Sequence, residues 1–275
     1  MCRPETKVIV LMHLSITSLS LPACEQAATE LATRRRQKSS AGRLPETCRP
    51  QDLHSAWTIQ KLVSAHLAED IGGWKCGMPG ADKFVLAPIY ANTLFHETEN
   101  CTVVPLQGKA RIEPELAYML REDLPLRDIP YTPDDVDAAI GETRLALELI
   151  ASRYSIPAAS EAASFYEHLA DGLFNQGLYL GPVLPADTGE PSALSISIDS
   201  EGDERRHFEG QHPAGNPRAP LYWLVEFLRQ NGIPLRAGQA IITGSYAGSP
   251  DVALDKLTQI HFAGLGSIRT RFHAL

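Results

Sequence analysis

The chain has 275 residues and a formal charge of −8, with 44% apolar and 21% charged residues. This is an ordinary globular composition, which excludes a disordered or fibrous chain. The acidity excludes nucleic acid as the main partner, because phosphate binding needs a cationic surface, so the run Arg34-Arg35-Arg36-Gln37-Lys38 reads as a solvated helix face.

Residues 1–24 read as an extension ahead of the domain. They are either a signal-like stretch, with Arg3 and Lys7 before apolar patches, or a loosely packed lead. His13, Ser15, Thr17, Ser18 and Ser20 make this stretch too polar for a membrane span, and no other segment is a candidate, so no membrane partner is expected. Five cysteines, at 2, 24, 48, 76 and 101, are scattered and form no CxxC pair. Neither a disulfide framework nor a zinc knuckle is expected, and a cytoplasmic, reducing location fits.

Residues 25–100 read as a smaller, helical N-terminal part. Ala27, Ala28, Leu31 and Ala32 recur at helical spacing from Glu25 to about Arg36, and a loop follows from Lys38 to Pro50. A second helix starts near Asp52, with Leu53, Trp57, Val63 and Leu67 on one face. Gly72-Gly73 ends this region. Trp74 to Gly77 is a short strand carrying Lys75, and residues 79–100 look irregular.

Residues 101–275 read as a β-rich domain with inserted helices. Strands are expected over 102–105, 110–120, 145–150, 178–180, 194–198, 206–209, 240–243, 257–262 and 268–272. Thr132-Pro133-Asp134-Asp135 has the cap, proline and acids of a helix start, and that helix would cover Val136 and Ile140. A short helix is expected around 160–168, and Pro220 to Arg229 is amphipathic, stopped at Gly232-Ile233-Pro234. Strands and helices do not alternate regularly, which makes the class α+β.

There is no GxGxxG, P-loop, HExxH or GxSxG motif. The carboxylates say more. Glu113 and Glu115 stand at i and i+2 and share one face of a strand. Two like charges side by side cost free energy unless a cation lies between them. Pro114 between them places the strand at an edge or a bulge. Taken alone, the pair fits two solvated acids on an exposed strand face better than a site. Glu148 interrupts the apolar run Leu145 to Ile150, where a bare charge is too costly to bury unpaired. Its counter-ion is either Arg153 or a metal. Three carboxylates without a thiolate suit a hard ion such as Mg²⁺ or Mn²⁺. Lys75, between Trp74 and glycines, is either a base with a lowered pKa or a snorkelling surface lysine.

The set of segments resembles a known family. Trp74-Lys75-Cys76-Gly77 is similar to the "GWKIG" segment of the 2-oxopent-4-enoate hydratases and their relatives. Arg111 to Leu120 resembles the metal-binding strand of that family, and Leu147 to Arg153 resembles its "LEIVDSR" segment. Ala170-Asp171 with Asn175, Gly177 and Gly181, then Gly215-Asn216-Pro217, then Ile242 to Ser245 and Gly264 to Ser267, follow in the family's order. The chain is thereby identified as a member of the fumarylacetoacetate hydrolase superfamily, hydratase/decarboxylase branch.

The resemblance implies a twisted β-roll of the fumarylacetoacetate hydrolase type, with Mg²⁺ or Mn²⁺ on Glu113, Glu115 and Glu148. It implies Lys75 as the catalytic proton carrier. Thr243, Gly244 and Ser245 would offer donors to the carboxylate of a small 2-oxo acid, and Arg153 or Lys83 would meet a second carboxylate. The activity implied is a metal-dependent hydratase of a 2-hydroxy-dienoate in aromatic catabolism. The alternatives are a 2-oxo-enedioate decarboxylase, or a non-catalytic subunit that binds a 2-oxo acid. A homo-oligomer, and a complex with a related decarboxylase or hydratase, are implied as partners. The sequence departs from the family at Ile89, where hydratases carry the acid of a "PDFG"-like segment, at Gly172 and at Ala151. Asp82 is near the missing acid but not at its position.

Overall fold

In the computed structural model, which describes residues 18–80, 83–155, 162–185 and 188–275, helix α1 (Leu21–Arg36) starts four residues before the apolar spacing suggests. Ser20 caps it by accepting the Ala23 N–H, and Pro22 stands in its first turn, two end signals that outrank periodicity. The first turn buries Cys24. Residues 1–17 of the expected extension lie outside the described residues, as does Asp82. Helix α2 (Leu53–Leu67) is capped by Asp52, whose Oδ1 accepts the Ser55 N–H at 2.8 Å. Helices α1, α2 and α4 (Phe165–Ala170) close on a core that includes Leu31, Ile59, Val63 and Leu169.

The helical part expected over 25–100 is confined to these first two helices. Strand β1 (Ile71–Gly77) runs through Gly72-Gly73, and β2 (Val85–Tyr90) and β3 (Leu94–His96) form where irregular chain was expected. Pro88 concealed β2: the strand lies at the end of its sheet, where a missing donor is tolerated. The remaining strands are β4 (Asn100–Val103), β5 (Lys109–Leu120), β6 (Ile140–Ile150), β7 (Asn175–Val183), β8 (Ala193–Ser200), β9 (Arg206–Gln211), β10 (Ala240–Ile242), β11 (Asp251–Ala253), β12 (Leu257–Phe262) and β13 (Gly266–Ala274). Helix α3 (Pro133–Ala139) has the Thr132–Asp135 capping box, but it stops at Ala139, and Ile140 opens β6 rather than extending the helix. Helix α5 spans Ala219–Gln230.

An eight-stranded sheet runs β2-β1-β10-β5-β6-β7-β3, with β11 also on β5, and a five-stranded sheet runs β4-β13-β12-β8-β9. Alternation on β6 assigns the layers. Leu145, Leu147 and Leu149 pack with Ile196, Ile260, Phe262 and Phe272 between the two sheets. Ala146 faces the other way, with Ala117, Leu178, Leu180, Ile242 and Ile89. Because Ile89 on β2 meets Leu178 and Leu180 on β7, the large sheet curls on itself as a roll. Glu148 is on the Ala146 face, looking inward. A strand buried on both faces reads as a nearly continuous apolar run, so one acid in it stands out. Cys24, Cys48, Cys76 and Cys101 are buried free thiols. Among the described residues, no helix is long and apolar enough to cross a membrane.

Candidate metal centre and active site

Strand pairing assembles the acids. Glu113 on β5 stands directly opposite Glu148 on β6, and Glu115 lies two residues along the same face. One carboxylate oxygen from each residue falls within 4.8 Å of the others. Glu115 is 2% exposed and Glu148 0%, so the reading of Glu113 and Glu115 as two solvated acids fails for the pair's second member.

Pro114 does not sit on an edge strand. β5 is internal, but its partner on one side is split. β10 pairs with 117–119 and β11 with 109–111. The connecting loop crosses the gap, where Tyr246 N–H donates to the Pro114 carbonyl at 3.0 Å. The N and C=O of one residue point to the same side of a strand. The missing donor of Pro114 therefore faces the break, where no ladder bond is lost. In the same gap Gly244 N–H donates to Glu115 Oε2 at 2.7 Å, and the Ser249 hydroxyl donates to Glu113.

Lys75 on β1 lies three strands away from β6, about 14 Å in a flat sheet at ~4.8 Å per strand. Curling brings its Nζ to 2.7 Å from Glu148 Oε1. The same oxygen accepts from Asn175 Nδ2 at 2.9 Å, while Lys75 Nζ also donates to the Leu173 carbonyl at 3.1 Å. Gly172, Leu173 and Phe174 carry φ of 83°, 51° and 68°. Left-handed backbone costs a non-glycine residue roughly 1–2 kcal/mol. Here the turn is held by Leu173 N–H to the His168 carbonyl at 2.7 Å and Ala151 N–H to the Phe174 carbonyl at 2.8 Å. What the strain secures is the carbonyl aimed at Lys75.

The electrostatics correct one expectation. Burial works against the Lys75 ammonium, but Glu148, Glu113 and Glu115 outweigh it and raise its pKa above the usual lysine value. Lys75 is thus neither a low-pKa base by burial nor a surface lysine. Burial, reinforced by the neighbouring acids, pushes Glu115 well up. Burial likewise pushes Glu148 up to about 7, against the pull of Lys75. Three carboxylates against one ammonium is a deficit of positive charge. Both donors to Glu148 use Oε1, leaving Oε2 buried with no hydrogen-bond partner among the described residues. An unpaired buried carboxylate oxygen beside two further carboxylates is the donor set of a hard divalent cation. The residues therefore fit the metal that the sequence implied.

These groups line a cavity of about 320 Å³ with Thr243, Gly244, Ser245 and Met78. It adjoins a cavity of about 700 Å³ that shares Lys75 and Glu113 and continues past Arg111 to His168 and Phe174. Of the hydroxyl and amide donors expected at the substrate carboxylate, two are engaged within the protein. The Gly244 amide is spent on Glu115, and the Ser245 hydroxyl donates to the Gly248 carbonyl at 2.7 Å.

The buried His212 serves Thr243. Its Nδ1 accepts the Ala214 N–H at 3.2 Å, and its Nε2 lies 3.3 Å from Thr243 Oγ1. Burial lowers its pKa to about 4, so the ring is neutral with its proton on Nε2, which donates to Thr243. The Thr243 hydroxyl proton is then free to point into the cavity.

Arg153 is neither the counter-ion of Glu148 nor a lining residue of these two cavities. Its Nε binds Asp171 Oδ2 at 2.7 Å, because Asp171, 1% exposed, has its own need of a cation. Lys83 lies 5.1 Å over the Phe165 ring. Ile89 is fully buried opposite Gly73. Asn175 was named without a role, while His212, Ser249 and the Leu173 carbonyl escaped the sequence reading. These three act from loops or through the backbone, where no periodicity marks them.

Comparison with known proteins follows this geometry. Residues 78–273 match the family described as fumarylacetoacetate (FAA) hydrolase C-terminal. A 2-keto-4-pentenoate hydratase of Burkholderia vietnamiensis is 25% identical over 265 residues, spanning 90% of this chain and 98% of that protein. The 2-keto-4-pentenoate hydratase of Paraburkholderia xenovorans is 24% identical over 91% of this chain and 95% of its own length. Among solved structures, 4-oxalocrotonate decarboxylase from Pseudomonas putida G7, complexed with magnesium and adipate, superposes with a TM-score of 0.72 at 18% identity, covering 93% of this chain and 99% of that one.

Proposed function

The chain belongs to the fumarylacetoacetate hydrolase family, and from that premise we propose that it is a divalent-metal-dependent hydratase of a 2-hydroxy-dienoate, a carbon–oxygen lyase of aromatic catabolism. The observation that carries the reading is the inward-facing trio Glu113, Glu115 and Glu148, with Lys75 2.7 Å from Glu148 at the wall of a substrate-sized cavity. The hydratase names of relatives that match over most of the chain point the same way.

Glu113, Glu115 and Glu148 would hold Mg²⁺ or Mn²⁺, their orientations set by Ser249, Gly244 and Asn175. Bound there, the ion would supply Lewis-acid stabilisation of charge developing on the substrate's 2-oxo oxygen. The Thr243 hydroxyl donates to the substrate carboxylate. Lys75 Nζ, fixed between Glu148 and the Leu173 carbonyl and held as the ammonium, gives one of its protons to carbon and takes in its place the proton that leaves the 2-hydroxyl. The conjugated 2-oxo-enoate then takes up one water, its hydroxyl at C4 and its proton at C3. With Ile89 in place of an acid, these proton transfers fall to Lys75.

Decarboxylation of a 2-oxo-enedioate is less well served. The second carboxylate needs a cation, yet Arg153 is turned to Asp171, and Arg111 in the larger cavity is paired with Asp251 at 2.7 Å. A homo-oligomer is part of the reading, checked by solution mass.

The test is consumption of freshly generated 2-hydroxypenta-2,4-dienoate with and without Mg²⁺, products followed by NMR. Metal-dependent 4-hydroxy-2-oxopentanoate is expected. Metal binding without turnover of the dienoate would overturn the hydratase reading and favour a decarboxylase or a non-catalytic 2-oxo-acid binder.

A further inference from the structure

The turn that serves the carboxylate centre has a second side. Asp171 and Asn175 bracket it, and on the far side from Lys75 two guanidinium groups converge on it. Arg153 binds Asp171 Oδ2 at 2.7 Å and the Asp171 carbonyl at 3.3 Å. Arg35 donates to the Asn175 carbonyl at 3.3 Å and to the Asp171 carbonyl. Arg35 Nε lies 3.2 Å from Asp171 Oδ1, yet neither buried atom has an aligned hydrogen-bond partner among the described residues. Two buried cations therefore share one carboxylate, and buried charge is ordinarily matched one for one.

These cations open on a cavity of about 520 Å³ that Arg36 and Lys38 also line, with Glu69 as its acidic side chain and the last residue, Leu275, also on its wall. Arg36, Lys38 and Glu69 are exposed, so they form the rim, whereas Arg153 is 5% exposed and forms the floor. Tyr90, Thr102 and Gln176 add polar groups to the wall. The basic run of the sequence thus divides by function. Arg34 is consumed by Glu30 at 2.9 Å and by the carbonyls of Gly42 and Arg153, while Arg35, Arg36, which also donates to the His66 carbonyl, and Lys38 line one concavity.

We propose that this cavity is a second ligand site, for a small multivalent oxyanion, a phosphate or a dicarboxylate, seated between Arg153 and Arg35 at the floor and Arg36 and Lys38 at the rim. An oxyanion there would supply the negative charge that Asp171 alone does not, in the charge-assisted geometry guanidinium groups favour. The site is separate from the acidic centre, which repels anions unless a metal is present.

The experiment is calorimetric titration of inorganic phosphate, and separately of succinate, into protein freed of metal by chelation and gel filtration. Saturable binding of one of them is expected, and which one distinguishes a tetrahedral from a carboxylate ligand. Arg36→Gln/Lys38→Gln, at exposed positions that leave the fold intact, should weaken it roughly tenfold or more. Glu148→Gln should leave it unchanged. No saturable binding of either anion, equal affinity in the double variant, or loss of binding in Glu148→Gln would each overturn the site.

Discussion

Two buried charge clusters lie on opposite sides of one turn, and their imbalances have opposite sign. On the inner side, Glu113, Glu115 and Glu148 meet a single ammonium, Lys75. On the outer side, Asp171 meets two guanidinium groups, Arg35 and Arg153. Asp171 to Asn175 joins them, lending the Leu173 carbonyl and the Asn175 amide inward and the Asp171 and Asn175 carbonyls outward. A fold optimised for stability alone has no use for either imbalance, since burying an unmatched charge costs several kcal/mol. The lesson is that unmatched charge reports a missing ligand, and its sign tells which.

The sharpest way to break the inner cluster is Glu148→Ala. Removing one of three ligands should lower Mg²⁺ or Mn²⁺ affinity by more than the roughly 10–100-fold that follows loss of a supporting partner, and abolish metal-dependent turnover. The fold should survive, because alanine fits the Ala146 face and takes a buried charge away. Metal titration and circular dichroism measure both, and unchanged metal affinity would sink the three-glutamate assignment.

The outer cluster breaks the other way. Asp171→Asn leaves two guanidinium groups without a carboxylate and should cost about 3–5 kcal/mol of stability, read from denaturant unfolding. If the oxyanion site is real, saturating phosphate or succinate restores part of that loss in the variant. The largest effect on the inner cluster is thus on function and the largest on the outer is on stability, although both remove one carboxylate.

Much of the inner cluster was legible in the sequence because strand arithmetic is local. An i, i+2 spacing puts Glu113 and Glu115 on one face whatever surrounds them, and an acid inside Leu145 to Ile150 is anomalous in any context. The outer cluster was not legible. Arg35, Arg153 and Asp171 are far apart in the chain, and only folding makes them neighbours, so Arg153 was assigned to the nearest acid in sequence, Glu148. The fold shows the same contrast. Strands with apolar alternation, such as β8 and β12, were found. β2 and β3 were missed, because Pro88 and the short Leu94–His96 segment offer no period to read. α3 was overextended because Ile140 suits the apolar face of a helix as well as the strand it opens.

His212 sharpens the comparison by showing a third solution to burial, which is to stay neutral. Its pKa falls from an unfolded value near 6.5 to about 4 in the folded protein. As pH drops, the unfolded chain takes up the proton first. The stability tied to the neutral ring is therefore complete above about pH 6.5 and is lost progressively as pH falls through 4, by about 3 kcal/mol in total. Unfolding free energies at pH 7 and pH 4.5 should diverge less in His212→Gln than in the parent protein, and equal pH slopes would exclude a buried neutral imidazole.

The smallest effect expected separates orientation from charge within the inner cluster. Ser249 donates its hydroxyl to Glu113, the one half-exposed acid of the three. Ser249→Ala changes no charge and buries nothing new, so unfolding free energy should stay within about 0.5 kcal/mol of the parent. If Glu113 is a ligand whose carboxylate must be held in place, Mg²⁺ affinity should nevertheless fall roughly tenfold, because an unrestrained side chain pays its rotamer freedom on binding. A variant with parental metal affinity would show that Glu115 and Glu148, both fully enclosed, orient the ion by themselves and that Glu113 contributes only its charge.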